Sequence, residues 1–126
     1  MVYRFVFAAN IKEGCTVEQY VEAWRASSRI IQQQPGARGT KLHRSLDTPA
    51  GTTTLVAIAS WESKAARNAA IEALGLNDEG GSKPDSIHNR HEQFADLVVY
   101  DELEEISAVN APLPPIFPDD RDRTHL

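Results

Sequence analysis

The feature that most constrains the fold is an almost continuously apolar run from Thr53 to Trp61. A run of this length suits one β-strand, and a strand with one solvent-exposed face normally alternates apolar and polar residues. Because this run does not alternate, we expect both faces of the strand to be covered. A chain of 126 residues suits one domain. A second copy of the chain is the simplest source of the second cover.

Strand and helix signals precede this run. Tyr3–Ile11 is rich in aromatic and β-branched residues and predicts a first strand. Thr16 and Gln19 have the spacing of a capping box, which predicts a helix from Val17 to about Gln33. The segment from Thr40 to Leu46 alternates as a second strand, with Leu42 and Leu46 on one face, and a turn at 47–52 follows.

The second half of the chain repeats this order. Ser63 is a natural cap for a second helix, which Gly75 ends. We expect its apolar stripe to comprise Ala66, Ala69, Ala70, Ala73 and Leu74. After a loop, Ser86 can cap a short helix that carries Ile87, His91, Phe94 and Ala95 on one side. Leu97–Ile106 then predicts the last strand.

The element order β-α-β-β-α-β predicts the α+β class with a ferredoxin-like split βαβ fold. Right-handed crossovers place both helices on one face of a four-stranded antiparallel sheet. We expect residues 1–107 to form this domain. Residues 108–126 are acidic and rich in proline, and we expect an extended tail or an arm that folds on a partner subunit.

Charge and composition exclude several classes of protein. The net charge is −5, and residues 96–126 hold eight acids and two bases, so the remainder of the chain is near neutral. Without a basic stripe we expect no nucleic-acid partner, and without a long apolar run no membrane span. The single cysteine, Cys15, and the absence of a leader peptide pattern indicate a cytoplasmic protein.

Two segments, QQQPGARGTKLHRSL and LVAIASWESKAARNAA, resemble the antibiotic biosynthesis monooxygenase family. The resemblance implies a homodimer whose two sheets pack into an α/β barrel. It also implies a monooxygenase that needs no cofactor and acts on an electron-rich aromatic or polyketide with dioxygen. Trp61 matches the tryptophan that ends the family's third strand.

Candidate site residues follow from the resemblance and from residue chemistry. We expect His91 or Tyr20 to move the substrate's proton, because a histidine changes charge near neutral pH and a tyrosine can hydrogen-bond a carbonyl. We expect substrate contacts from four aromatic residues, Trp61, Phe7, Trp24 and Phe94. His88 and His91 share a helix face, but no third ligand has recognisable spacing, so we expect no metal site.

The sequence is also compatible with other functions. A polyketide cyclase or isomerase would use the same pocket, and the acidic tail favours a ligand-binding or interaction protein without catalysis. Haem degradation is a further alternative, since one branch of the family degrades haem. That branch has an asparagine where this chain has Phe7. Asn10, three residues away, should face the other side of the sheet.

Overall fold

The computed structural model describes residues 2–76 and 91–112, which form four strands and two helices. In chain order the elements are β1 (Tyr3–Ile11), α1 (Val17–Ile31), β2 (Ala37–Arg44), β3 (Thr54–Trp61), α2 (Lys64–Ala73) and β4 (Ala95–Glu104). The strands form one antiparallel sheet in the order β2-β3-β1-β4. This arrangement confirms the predicted ferredoxin-like α+β fold.

Both helices begin where the sequence predicts. Thr16 Oγ1 accepts a hydrogen bond from Gln19 N at 3.1 Å, and Gln19 Oε1 accepts one from Thr16 N at 2.8 Å, so the capping box of α1 is complete. Ser63 Oγ accepts from Ala66 N at 3.0 Å at the start of α2. The side chains therefore satisfy backbone donors that have no partner within the first turn.

Strand β2 is shifted from its predicted position. It begins at Ala37, which pairs with Trp61, and its register changes between Ala37 and Thr40. This irregularity surrounds Gly39, whose φ is +99°, so a segment that looks like a loop in the sequence belongs to the strand. The strand ends at Arg44, which leaves Leu46 93% exposed rather than on the inner face with Leu42.

Helix α1 and strand β4 also have boundaries that differ from the prediction, and β3 begins at Thr54, one residue later than expected. Helix α1 ends at Ile31 and not at Gln33, and β4 starts and ends two residues early. Ala95 is fully buried as the first residue of β4, so it does not belong to a helix. The rest of the predicted short helix, including Ser86, Ile87 and His88, lies outside the described residues.

The core lies between the helices and one face of the sheet. One cluster joins Tyr20 of α1 to Ala9, Leu55 and Ala95 of three strands. A second cluster joins Ala70 of α2 to the sheet's Tyr3 and Trp61. Because these strand residues share one side of the pleat, both helices pack on the same face, which we call the helix face.

The opposite face of the sheet is apolar along its central strands. It carries Val6 and Ala8 of β1 beside Val56 and Ile58 of β3. Val6 and Ala8 are buried, whereas Val56 and Ile58 are half-buried. We call this side the open face. No helix within the described residues is long and apolar enough to cross a membrane.

Candidate functional site

A cavity of about 320 Å³ lies on the helix face of the sheet. Its lining is mostly apolar, with a few polar side chains from α2 and from the segment before β4. The lining residues are Phe5, Phe7, Ile31, Ala59, Trp61, Arg67, Ile71, His91, Glu92, Leu97, Val98 and Val99. A mostly apolar cavity with few convergent polar groups is the usual form of a small-molecule site.

One wall of the cavity is aromatic. Phe5 and Phe7 are two residues apart on β1 and therefore share the helix face, with ring centroids 6.3 Å apart. Trp61 ends β3 and is only 2% exposed, so it packs in the core and lines the cavity. The two interpretations of Trp61, as a seal for the strand-to-helix corner and as a cavity wall, are compatible.

A buried histidine contacts a buried tyrosine beside this wall. His91 is 7% exposed, and its Nδ1 lies 3.3 Å from the hydroxyl oxygen of Tyr20. The two rings meet edge to face with centroids 5.4 Å apart, and the His91 ring is 6.4 Å from that of Phe7. These contacts hold the imidazole at the cavity surface.

Burial fixes the charge state of Tyr20. The residue is fully buried, and the loss of hydration raises the pKa of its phenol above the ordinary value. Tyr20 therefore keeps its proton at neutral pH. Tyr20 does not line the cavity and reaches it only through its contact with His91, so a direct role for Tyr20 on a ligand stays a prediction.

Arg67 is a cavity residue that the sequence interpretation missed. Its guanidinium carbon lies 4.1 Å from the centroid of the Phe5 ring, a cation–π contact. The inner side of α2 comprises Ala66, Arg67, Ala70, Ile71 and Leu74, whereas Ala69 and Ala73 are exposed. In an alanine-rich helix, the sequence pattern does not show which side faces the sheet. The spacing of four between Ser63, Arg67 and Ile71 is the signal that could have placed Arg67 on the inner side.

A polar network involves the same region of the sheet. Tyr3 donates a hydrogen bond to Glu102 Oε1 at 2.8 Å, and Lys64 Nζ lies 2.9 Å from the same oxygen. Burial and the Glu102 carboxylate raise the pKa of Tyr3 to about 12, while the charge of Arg67 opposes this shift. The hydrogen bond from Lys64, and then that from Tyr3, lowers the pKa of Glu102.

The predicted site residues divide into two groups. Trp61, Phe7 and His91 line the cavity. Trp24 and Phe94 are half-buried and pack against the core cluster around Tyr20, and neither lines the cavity. A role for Trp24 or Phe94 in contacting a ligand therefore stays a prediction.

The residues that bear on metal and haem chemistry also have defined places. Within residues 2–76 and 91–112, no three His, Cys, Asp or Glu side chains cluster as metal ligands. His88 lies outside this part of the chain. Phe7 occupies the cavity wall, and Asn10 lies on the open face, where its Oδ1 accepts from the Thr54 hydroxyl at 2.7 Å. The prediction that Asn10 faces away from the helices is confirmed.

Comparison with known proteins gives structural relatives only. No protein-family profile matches the sequence, and no curated protein shows significant similarity. The structure is similar to SnoaB from Streptomyces nogalater, a cofactor-independent oxygenase. The TM-score is 0.61 and the identity is 14%, over 88% of this chain and 97% of SnoaB.

Two further solved structures show the same fold. One is a protein provisionally called an antibiotic biosynthesis monooxygenase from Bordetella bronchiseptica, with a TM-score of 0.61, 13% identity, and coverage of 84% of this chain and 98% of that one. The other is a mutant of MhuD with manganese protoporphyrin IX bound, with a TM-score of 0.56, 18% identity, and coverage of 88% and 100%. At such identities the similarity establishes the fold.

Proposed function

We propose that the protein is a cofactor-independent monooxygenase that oxidises an electron-rich aromatic, such as an anthrone or a quinol. The observation that carries the proposal is the combination of an aromatic cavity wall with a buried imidazole on the same cavity. The fold shared with SnoaB, a cofactor-independent oxygenase, adds support.

His91 is the proposed general base. In the tautomer in which Nδ1 donates its hydrogen to the Tyr20 oxygen, the lone pair of the imidazole is on Nε2, and we propose that a substrate carbon or hydroxyl gives its proton to that nitrogen. Tyr20 remains neutral, so it holds the imidazole through both protonation states. The segment that brings His91 to the cavity ends at Phe94, whose N–H donates to the His91 carbonyl at 3.1 Å.

The oxidation balances without an external reductant. After His91 removes a proton from an anthrone methylene, the resulting anion gives electrons to dioxygen, and a carbon–oxygen bond forms as a hydroperoxide. Loss of the remaining C–H hydrogen and of the outer oxygen as water leaves a carbonyl. One dioxygen thus supplies one oxygen to the quinone and one to water. Phe5, Phe7 and Trp61 would hold the ring and exclude bulk water from the anion.

Oxygen uptake with an anthrone panel tests the proposal. We expect uptake by the wild type and a loss of about 100-fold or more in kcat for His91→Gln, the range of general-base catalysis. Trp61→Phe should mainly raise KM, because it removes part of the cavity wall. His43→Gln is the matched control, since His43 is exposed on the open face beside Val56 and should leave kcat unchanged.

The products separate this proposal from its alternatives. An ¹⁸O₂ experiment should place one labelled oxygen in the quinone. A cyclase or isomerase would change the substrate without added oxygen, and a binding protein would retain it unchanged. Haemin titration should give no Soret shift, whereas stoichiometric binding followed by loss of the Soret band would indicate haem degradation. Wild-type rates in His91→Gln would refute the role of the base.

A further inference from the structure

We infer that Arg67 makes the cavity selective for aromatic ligands that carry an anionic oxygen. The inference deepens the proposed function and rests on it for the assignment of this cavity as the ligand site. It names a recognition element in addition to the aromatic wall and the buried imidazole.

The position of Arg67 suits an anion in an otherwise apolar cavity. The residue lies on α2, is half-buried and lines the cavity beside Ile71. The Phe5 ring, 4.1 Å from its guanidinium carbon, supports the cation from one side. A guanidinium has five N–H donors in a planar fork, and contact with an aromatic ring leaves those at its edge able to bind an oxyanion.

Among the described residues, no carboxylate lies close enough to Arg67 to form an ion pair with it. In the part of the chain that the structure describes, Arg4, Arg38 and Lys64 form the ion pairs, and Arg67 has no carboxylate oxygen within 4 Å. The hydrogen bonds from Lys64 and then Tyr3 lower the pKa of Glu102 most, and the charge of Arg67 lowers it further, so Arg67 and Glu102 attract each other. That carboxylate is already engaged by Lys64 and Tyr3.

The other titratable groups around the cavity leave this cation available. Tyr3 is neutral at ordinary pH because its pKa is raised to about 12. Glu92 lines the cavity but is exposed, so water screens its charge. In the part of the lining that the structure describes, His91 is the remaining titratable side chain. A positive charge in a mostly apolar cavity then favours the anionic form of a bound ligand.

This preference has a chemical use in the proposed reaction. A phenolate or enolate that forms when His91 takes a proton would be stabilised by Arg67, because a donor that is already in place lowers the energy of the charge that develops beside it. A permanent carboxylate on the ligand would use the same contact. The oxyanion therefore has two possible sources, an anion that forms in the site and a permanent carboxylate of the ligand. In both cases Arg67 would recognise an oxyanion attached to an aromatic ring.

Binding calorimetry with two probes of nearly equal shape tests the inference. The wild type should bind 2-naphthoate more tightly than neutral 2-naphthamide by about tenfold or more, as for a hydrogen bond to a charged group. Arg67→Met should remove this difference, and Arg67→Lys should retain part of it. Arg38→Met is the control, because it removes a cation that pairs with Glu62 at 3.8 Å and does not line the cavity.

A second probe distinguishes the two sources of the oxyanion. 4-Nitrophenol should ionise at lower pH when bound to the wild type than when free in solution, as visible absorbance reports, and Arg67→Met should remove this shift. Selectivity for naphthoate alone would indicate a permanent carboxylate, and a shift for nitrophenol alone would indicate an anion formed in the site. Either result supports the inference.

Equal wild-type affinity for naphthoate and naphthamide, together with no nitrophenol shift, would overturn the role of Arg67. This comparison needs no variant, so a folding defect in Arg67→Met cannot obscure it. Because the readout is binding, it is independent of oxygen uptake. If the protein binds anions preferentially through Arg67 but does not oxidise the substrate, the monooxygenase proposal is refuted and the anion site is retained. If it oxidises the substrate without this preference, the monooxygenase proposal is retained and the anion site is refuted.

Discussion

His91 and Tyr20 are 71 positions apart in the chain, and the contact between them gives the cavity an oriented imidazole. Tyr20 comes from the inner stripe of α1, which the capping box at Thr16 starts in the right phase. His91 precedes β4, whose first residue, Ala95, packs in the same cluster as Tyr20. The pair thus depends on two elements that the core already holds together.

Removal of the Tyr20 hydroxyl should impair this positioning. We expect Tyr20→Phe to lower kcat about tenfold with little change in KM, because the imidazole loses an orienting hydrogen bond worth about 1 kcal/mol or more. Tyr100→Phe is the control, since Tyr100 is 68% exposed. Steady-state oxygen uptake measures both. A rise in KM alone would instead show that Tyr20 supports ligand binding.

Tyr3 gives stability a specific dependence on pH. Its pKa is raised from an ordinary value near 10 to about 12 in the folded protein, so the folded state keeps the phenol proton after the unfolded state has lost it. The contribution of Tyr3 to stability is therefore complete below pH 10 and is lost as the pH rises to about 12.

The comparison with Tyr3→Phe isolates this effect from other groups that titrate at high pH. The difference in free energy of unfolding between wild type and Tyr3→Phe should fall steadily as the pH rises from 10 to about 12. Urea denaturation at a series of pH values measures it. A constant difference would mean that Tyr3 ionises alike in both states and that its hydrogen bond to Glu102 has no energetic role.

At the scale of single residues, the sequence reveals what is chemically distinctive and misses what depends on orientation. Trp61 and His91 are identifiable because tryptophan is rare here and histidine titrates near neutrality. Arg67 looks like a surface residue, since an arginine within an alanine-rich helix gives no sign of which side it takes. Its cavity position follows from the rotation of α2 about its axis, which the docking of Ala70 against Trp61 sets.

Among the elements, the turn before β2 controls how closely α2 approaches the sheet. Gly36 has a φ of +86°, and its carbonyl accepts a hydrogen bond from Glu62 N at 2.7 Å. A Cβ atom at this position would lie 2.6 Å from Cβ of Ala66 on α2. Both the backbone angle and the available space therefore require glycine.

Two glycine substitutions separate these causes. Gly39→Ala has the backbone cost alone, since its φ is +99° and nothing lies within 4 Å of a Cβ there. Gly36→Ala should destabilise the fold by about 1–3 kcal/mol more, the usual cost of overpacking. Urea denaturation gives both values. Adding Ala66→Gly should recover part of the excess, and equal costs for the two single variants would refute the steric explanation.

Elements that depend on residues close together in the sequence were predictable. Boundaries that depend on pairing between distant strands were not. Both N-caps and strand β1 agree with the sequence because the capping side chains and the strand residues act within a few positions. The start of β2 depends on Ala37 pairing with Trp61, a contact between distant segments across the sheet. A sequence read locally instead treats Gly39 as a loop residue and places the start of the strand at Thr40.

On the scale of the whole molecule, the open face of the sheet is an apolar surface that neither helix covers. The apolar run of β3 predicted cover on both faces, and the helices supply only one. Val56 and Ile58 remain half-buried on the other side, next to Val6 and Ala8 of β1. We propose that a second copy packs here to give a homodimer, and that residues 108–126 act as an arm in it.

A single charge on the open face tests the homodimer. Ile58→Lys should give a monomer, because burying the ammonium between two apolar sheets would cost several kcal/mol, whereas in a monomer its stem can reach water. Leu46→Lys is the control, since Leu46 is 93% exposed in a turn outside the sheet. Light scattering after size exclusion should give twice the chain mass for wild type and for Leu46→Lys. A monomeric wild type at micromolar concentration would show that the apolar face of β3 does not recruit a second copy.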